Sequence, residues 1–234
     1  NPLYMPEDSP LAARSHYGYV RDALEVEKFV QEFAAEYPEV RLAVLRLPNV
    51  IGPDVDAPFT RLLRLPAIPE LLGFDPLLQV IDADDAVAAL AQAVWAQAGG
   101  VFNVAASGVL SLCQLAGMLG RPLLPVLHLC VTWGWPLLTS LPAGRKALAW
   151  FPIEPDYLRY PWTGDARRMR EILGFEPQHS ARQAVERYVQ ALRIRPFQDP
   201  AELRRFADDR LDDVITSRRG VRQAQGDFAA TGPG

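Results

Sequence analysis

The sequence predicts an α/β protein built on a parallel sheet. Three observations carry this expectation. Segments with a helical apolar period alternate with strand-length apolar segments over residues 1–195. The strand segments are short and mostly apolar, as strands covered on both faces are. Capping signals stand at the starts of three of the helices. With 49% hydrophobic and 22% charged residues in 234, the chain has enough apolar side chains for a sizeable core and is not a disordered polymer.

The apolar residues Tyr19, Ala23, Val26, Val30, Phe33 and Tyr37 recur at spacings of four and three, which predicts an amphipathic helix over Asp22 to Tyr37 that Pro38 ends. Arg41 to Leu47, bounded by Pro38 and Pro48, reads as a buried strand, and Leu78 to Ile81 as a second. Asp82, with Asp85 three residues on, predicts a cap for a helix from Ala83 to Gln97 that Gly99-Gly100 stops. Val101 to Val104 is the next strand. Ser111 with Gln114 forms a capping box for a helix closing at Gly120, and Ser180 with Gln183 opens a final helix to about Arg195. Between these, a helix is expected from Asp165 to Leu173, stopped at Gly174.

From Leu123 to Leu141 the chain is uncharged and rich in Leu, Val and Trp. Four prolines, Pro122, Pro125, Pro136 and Pro142, interrupt it, which favours buried helices of a substrate lobe over a lipid-touching surface, and both over a membrane span of about 20 unbroken apolar residues. From about Asp199 onward Arg and Asp nearly cancel, a composition expected to be a disordered tail or linker.

Composition also excludes some functions. A net charge of -4 supplies no basic field for nucleic acid. Cys113 and Cys130 have no companion pair, so neither a disulfide framework nor a zinc knuckle is expected, and a reducing cytoplasm is the default. His16, His128 and His179 have no acidic or His partner at ligand spacing and read as surface or packing residues. Capping explains Asp82, Asp84 and Asp85 more simply than a metal does, so no metal is expected. No Gly-x-Ser-x-Gly elbow supports hydrolysis. The start at Asn1 shows no secretory signal and suggests a piece of something longer.

Five segments in order carry a family resemblance: Tyr19 to Glu27, Leu45 to Pro53, Gln79 to Val87, Val101 to Val104, and Asp165 to Pro177. They resemble the C-terminal half of extended short-chain dehydrogenases/reductases, the NAD-dependent epimerase/dehydratase family. The resemblance covers about residues 1–195 and implies the C-terminal part of a Rossmann-type parallel sheet, with a small, mostly helical lobe over the substrate. It divides the chain at 1–120 for the Rossmann-like half, 121–195 for the substrate-binding lobe with closing helices, and 196–234 for the tail. NAD or NADP is the implied cofactor, and the implied reaction is hydride transfer at a carbinol or ketone of a sugar nucleotide or sterol-like lipid.

The family's catalytic pair is a Tyr with a Lys four residues on, because a phenol of pKa near 10 needs a neighbouring cation to serve as a base at neutral pH. Aligning Glu27 with the family places Tyr19 at the Tyr and Ala23 at the Lys, so the ammonium is missing. The alternative register, Tyr17 with Arg21, keeps a cation of different geometry. Pro48 and Val50 are the implied cofactor contacts alongside the catalytic Tyr, and Asn49 the implied substrate contact. No Gly-x-Gly-x-x-Gly turn occurs, so the pyrophosphate cradle of a dinucleotide is not in this sequence. The isolated chain is therefore expected to be inactive. A non-catalytic ligand-binding or interaction module of the same fold is the second reading. A small-molecule substrate, a homodimer, and peripheral contact with membrane or a lipophilic ligand complete the expectations.

Overall fold

The computed structural model describes the backbone of residues 4–9, 18–127, 140–141 and 155–194, and the side chains of these except 18–21, 155 and 156. The chain divides into two compact units, Asn1–Gln190 and Ala191–Gly234. Of the second, only the last turn of the final helix is described. His16, Tyr17, His128, Cys130, most of the Leu123 to Leu141 stretch and the expected tail lie outside the described residues.

The first unit is α/β. In chain order it contains α1 (Gly18–Glu36), β1 (Ala43–Arg46), β2 (Asn49–Ile51), α2 (Pro58–Arg64), β3 (Ile68–Leu71), β4 (Leu77–Leu78), β5 (Val80–Asp82), α3 (Ala83–Ala96), β6 (Gly100–Asn103), β7 (Leu110–Ser111), α4 (Leu112–Leu119) and β8 (Leu123–Val126). A single 3-10 turn (Pro155–Leu158), α5 (Arg167–Glu171) and α6 (Ala181–Ile194) follow. β1 pairs in parallel with β6, β2 with β5 and β3 with β8, while β4 and β7 are antiparallel.

Local chemistry sets the helix ends. The Asp82 carboxylate accepts from the Asp84 N–H at 3.0 Å and starts α3, which closes at Gln97 in the left-handed conformation. Ser111 and Gln114 exchange both bonds of the expected capping box at the start of α4, and Ser180 and Gln183 do the same before α6. The core gathers Ile81, Phe102 and Val104 from the sheet, Ala86 and Ala89 from α3, and Met169 and Leu173 from around α5. Small side chains on α3 let it lie close to the strands. Burying Phe102 completely contributes about 1.5–3 kcal/mol.

Several expectations are corrected. The strand expected over Arg41 to Leu47 is confined to Ala43–Arg46 and is half-buried, because part of one face opens into a groove beside α3. The strand expected over Leu78 to Ile81 breaks at Gln79. There the side chain accepts from Gly164 N–H at 2.7 Å and donates to Gly164 carbonyl at 3.1 Å, taking over a role that backbone pairing has elsewhere. The helix expected from Asp165 to Leu173 covers Arg167–Glu171 only. Asp165 instead accepts from Arg167 N–H at 3.0 Å, and the Arg167 guanidinium holds its carboxyl below the ordinary carboxylate range. Leu123 begins a strand, not a helix.

The inner face of α1 is also rotated from the predicted stripe. Leu24, Glu27, Val30 and Phe33 are half-buried, whereas Ala23, Val26 and Phe29 are exposed, the last two at 62% and 66%. The Glu27 carboxylate pairs with Arg46 on β1 at 2.6 Å, and this turns the polar position inward. α2, β2, β3, β7 and β8 were not expected from the sequence, and β4 holds only the first residue of the strand expected from Leu78.

Candidate functional site

In open parallel sheets ligands gather at the carboxyl ends of the strands. The end of β1 here runs through Leu47 and half-buried Pro48 into Asn49 and Val50, the first residues of β2. Pairing with β5 sets Asn49 opposite Val80 and Val50 opposite Ile81. Asn49 donates from Nδ2 to the Gln79 carbonyl at 3.0 Å, and its Oδ1 accepts from the Tyr157 hydroxyl. An amide with one bond at each end keeps one N–H and one lone pair for a further polar group. Val50 packs against the core.

Tyr157, the partner of that amide, belongs to a group of aromatic rings. Tyr157 stacks on Trp162 with centroids 5.3 Å apart and an interplanar angle of 28°, and Phe59 of α2 lies 6.2 Å from Tyr157. Trp162 N–H donates to the Leu77 carbonyl at 3.0 Å, which ties this wall to β4. The Arg159 guanidinium lies over the rings of Phe74 and Tyr160 at 5.8 and 5.7 Å, bringing a positive charge to the same stretch. The amide and the stacked rings suit a ligand with hydroxyls and a flat ring.

The segment Tyr4 to Ser9 crosses the carboxyl ends of β1 and β6. The buried Glu7 carboxylate accepts from Asn103 N–H at 3.0 Å, and Arg46 donates to the Glu7 carbonyl at 2.9 Å. Asn103 donates from Nδ2 to the carbonyls of Met5 and Asp165 at 3.0 and 3.2 Å. Gly164 passes so close that an added Cβ would meet Asn103 Cγ at 3.0 Å.

A second polar cluster sits at the start of α3. Asp85 does not extend the cap. It is 2% exposed and accepts from the N–H groups of Gln178 and His179 at 3.1 and 3.0 Å, with His179 Nδ1 at 3.0 Å. His179 therefore has an acidic partner after all, one that spacing could not reveal. The ring donates from Nδ1 to Asp85 and accepts at Nε2 from Arg187 at 2.8 Å. Arg187 also reaches Asp82 at 3.3 Å and Asp84 at 3.1 Å. Burial pushes the Asp82 carboxyl above its ordinary range, despite the opposing Asp84 N–H and Arg187. These bonds link the Gln178–Ser180 turn to α3 and have a structural role.

The structure brings Pro48, Asn49 and Val50 together at one strand end. Tyr19 and Arg21 lie in the first turns of α1, with their side chains outside the described set, as is the whole of Tyr17. Ala23 is exposed. Tyr157, Trp162, Phe59 and Gln79 were missed in the sequence; a Pro-punctuated aromatic run around Tyr157 was the only signal. Among the described residues, no three His, Cys, Asp or Glu side chains form a metal site, and no helix is long and apolar enough to cross a membrane.

The chain shares its α/β fold, with its parallel strand pairs, with solved structures of nucleotide-sugar enzymes. The chain superposes on dTDP-glucose 4,6-dehydratase from Bacillus anthracis in complex with NAD with a TM-score of 0.58 and 14% identity, covering 81% of this chain and 56% of that one. MoeE5, in complex with UDP-glucuronic acid and NAD, gives a TM-score of 0.59 at 20% identity, with 81% and 59% covered. No family model matches the sequence. An uncharacterized protein of Mycobacterium tuberculosis strain H37Rv is 32% identical over 207 residues, which is 87% of this chain and 53% of the relative. A second from that strain is 28% identical over 218 residues, or 87% and 23%. The chain spans about half the length of the first of these relatives.

Proposed function

We propose that the chain is the substrate-side portion of a longer NAD(P)-dependent enzyme that epimerises, dehydrates or oxidises the sugar of a nucleotide-activated sugar. One observation carries this reading. Asn49, at the strand end where this fold gathers its ligands, is held by the Gln79 carbonyl and Tyr157 beside a stacked aromatic wall. That amide beside stacked rings favours a polar ligand with a flat ring over a sterol-like lipid. The NAD in the two solved structures and the UDP-glucuronic acid in one support the same choice.

The residues present fit only one end of the cofactor. Half-buried Pro48 beside Asn49 offers a small apolar surface suited to a nicotinamide, with Val50 backing the strand end from the core, whereas no Gly-rich turn in this sequence suits a pyrophosphate. The cradle belongs, on this reading, to the remaining part of the longer protein. When bound, the cofactor supplies hydride exchange at the carbinol carbon. The chain's own share is to orient the sugar through Asn49 and to move the carbinol proton at the phenol of Tyr19, or of Tyr17 with Arg21. Ala23 in the place of the usual Lys favours, as a second reading, a non-catalytic binding module. The proposal also assigns the protein to the cytoplasm as a homodimer and leaves any contact with membrane or lipophilic ligand to Leu123 through Leu141. Light scattering and vesicle flotation test these points.

The decisive test is turnover of UDP-glucose and dTDP-glucose with NAD and NADP by the longer protein. Tyr19→Phe is expected to abolish turnover without changing cofactor affinity, and Tyr17→Phe to be mild; the reverse moves the assignment to Tyr17 and Arg21. Ala23→Lys is expected to raise the rate at neutral pH, since the ammonium sits one helical turn from Tyr19. Full-length protein that binds a nucleotide sugar but turns over none favours the module.

A further inference from the structure

Gln79 stands between β4 and β5, and it is 5% exposed. Its side-chain amide makes two bonds to a single residue, accepting from Gly164 N–H at 2.7 Å and donating to the Gly164 carbonyl at 3.1 Å. Used this way, a Gln side chain stands in for the peptide group of a neighbouring strand and joins two segments in fixed register. The register continues on the Leu77 side, where Trp162 N–H donates to the Leu77 carbonyl at 3.0 Å and Leu78 and Trp162 form a parallel bridge. On the far side of Gly164, Asn103 donates from Nδ2 to the carbonyls of Met5 and Asp165.

These two joined segments hold Asn49 by both ends of its amide. Nδ2 donates to the backbone carbonyl of Gln79 itself at 3.0 Å. Oδ1 accepts from the Tyr157 hydroxyl, and the Tyr157 ring stacks on Trp162, two residues before Gly164. The contacts close a ring: Asn49 to Gln79, Gln79 to Gly164, along the chain to Trp162, across the stack to Tyr157, and back to Asn49. An amide turned over by 180° exchanges its donor end for its acceptor end. Turned over here, Oδ1 would face the Gln79 carbonyl, acceptor against acceptor. We infer that Gln79 is a positioning residue for the sugar site: its clasp on Gly164 keeps the two segments in register and so fixes which way Asn49 presents its remaining N–H and lone pair to a ligand hydroxyl. The inference rests on the reading of Asn49 as a contact to the sugar of a nucleotide sugar.

The test is a double-mutant cycle in the longer protein, read by calorimetry as the Kd for UDP-glucose at about pH 8, where a new carboxyl is ionised. Gln79→Glu keeps an acceptor for Gly164 N–H but sets a carboxylate oxygen against the Gly164 carbonyl. It is expected to weaken UDP-glucose binding at least about tenfold in the otherwise wild-type protein, and less than about twofold in Asn49→Ala, where the amide it positions is gone. Equal weakening in both backgrounds, or none in the first, overturns the inference. Amide hydrogen exchange of the unaltered 234-residue chain decides the matter independently, also where Gln79→Glu fails to fold. Gly164 N–H and the Asn49 side-chain amide are expected to open together, with protection within about threefold of each other. An Asn49 amide that exchanges as freely as an exposed one, while Gly164 is protected, overturns the inference. A longer protein that binds no UDP-glucose removes the nucleotide-sugar reading and leaves the positioning of Asn49 to the exchange result, whereas binding without coupling keeps that reading and overturns this one.

Discussion

Replacing Asp85 isolates one buried carboxylate whose work is wholly structural. It accepts two backbone N–H groups of the turn that precedes α6, and the first residues of that helix, Ala181, Ala184 and Val185, are buried. Hydrogen bonds to charged groups contribute about 1.5–3 kcal/mol each, and a buried donor left unsatisfied costs about 1–3 kcal/mol. These contributions share one turn and do not sum freely. Asp85→Ala, which strands both donors, is therefore expected to cost roughly 3–5 kcal/mol, a large part of a total stability of about 5–15 kcal/mol. Asp85→Asn keeps one acceptor but turns an amide N–H toward a donor, for roughly 2 kcal/mol. Urea unfolding followed by circular dichroism measures both as shifts in midpoint at constant slope. An Asn variant within about 0.5 kcal/mol of the wild type, or an Ala variant costing under about 1 kcal/mol, would refute the assignment.

Burial raises the Asp82 carboxyl, so its ionised form is disfavoured in the fold; that cost is present above the raised pKa and relieved as pH falls through it into the ordinary carboxylate range. Asp82→Asn keeps the cap, and its Tm advantage relative to wild type should be largest near neutral pH and shrink toward about pH 3; a difference constant with pH would contradict this. Gly164→Ala forces a Cβ to within 3.0 Å of Asn103 Cγ and should destabilise by about 1–3 kcal/mol, whereas Gly117→Ala, with open space around it, should not; equal effects in thermal melting would count against the close approach. The 234-residue chain alone is expected to give no heat on titration with NAD or NADP, and micromolar binding would show that a phosphate cradle forms without a Gly-rich turn.

What could be read in the sequence is what depends on near neighbours. The Ser111–Gln114 box, the Asp82 cap and the stop at Pro38 each involve residues within a few positions, and the structure contains all three. The α/β class followed from the same local alternation. What could not be read depends on distant partners. Asn49 meets Tyr157 across 108 positions and Asp85 meets His179 across 94, so neither the aromatic partner of Asn49 nor the acidic partner of His179 had a local sign. β3 and β8 pair although some fifty residues apart, and β3 carries a Pro and a Glu that disguise it as a loop. The rotation of α1 escaped notice because apolar period weighs Val26 above Glu27, while the ion pair with Arg46 decides which side turns inward.

The crossing of Tyr4 to Ser9 over the strand ends has a consequence for synthesis. Met5 N–H bonds the Thr163 carbonyl, and Asp165 N–H bonds the Met5 carbonyl, so this segment is completed by one made about 160 residues later. At about 5–20 residues per second, Met5 waits on the order of ten to thirty seconds on the ribosome before its partners emerge. During that interval the Glu7 carboxylate is still hydrated, and the exposed apolar side chains of α1 and α3 are available to chaperones. Nascent chains stalled before residue 163 should therefore be cleaved readily near Glu7 by an acidic-residue protease, and chains released after about residue 190 should resist it.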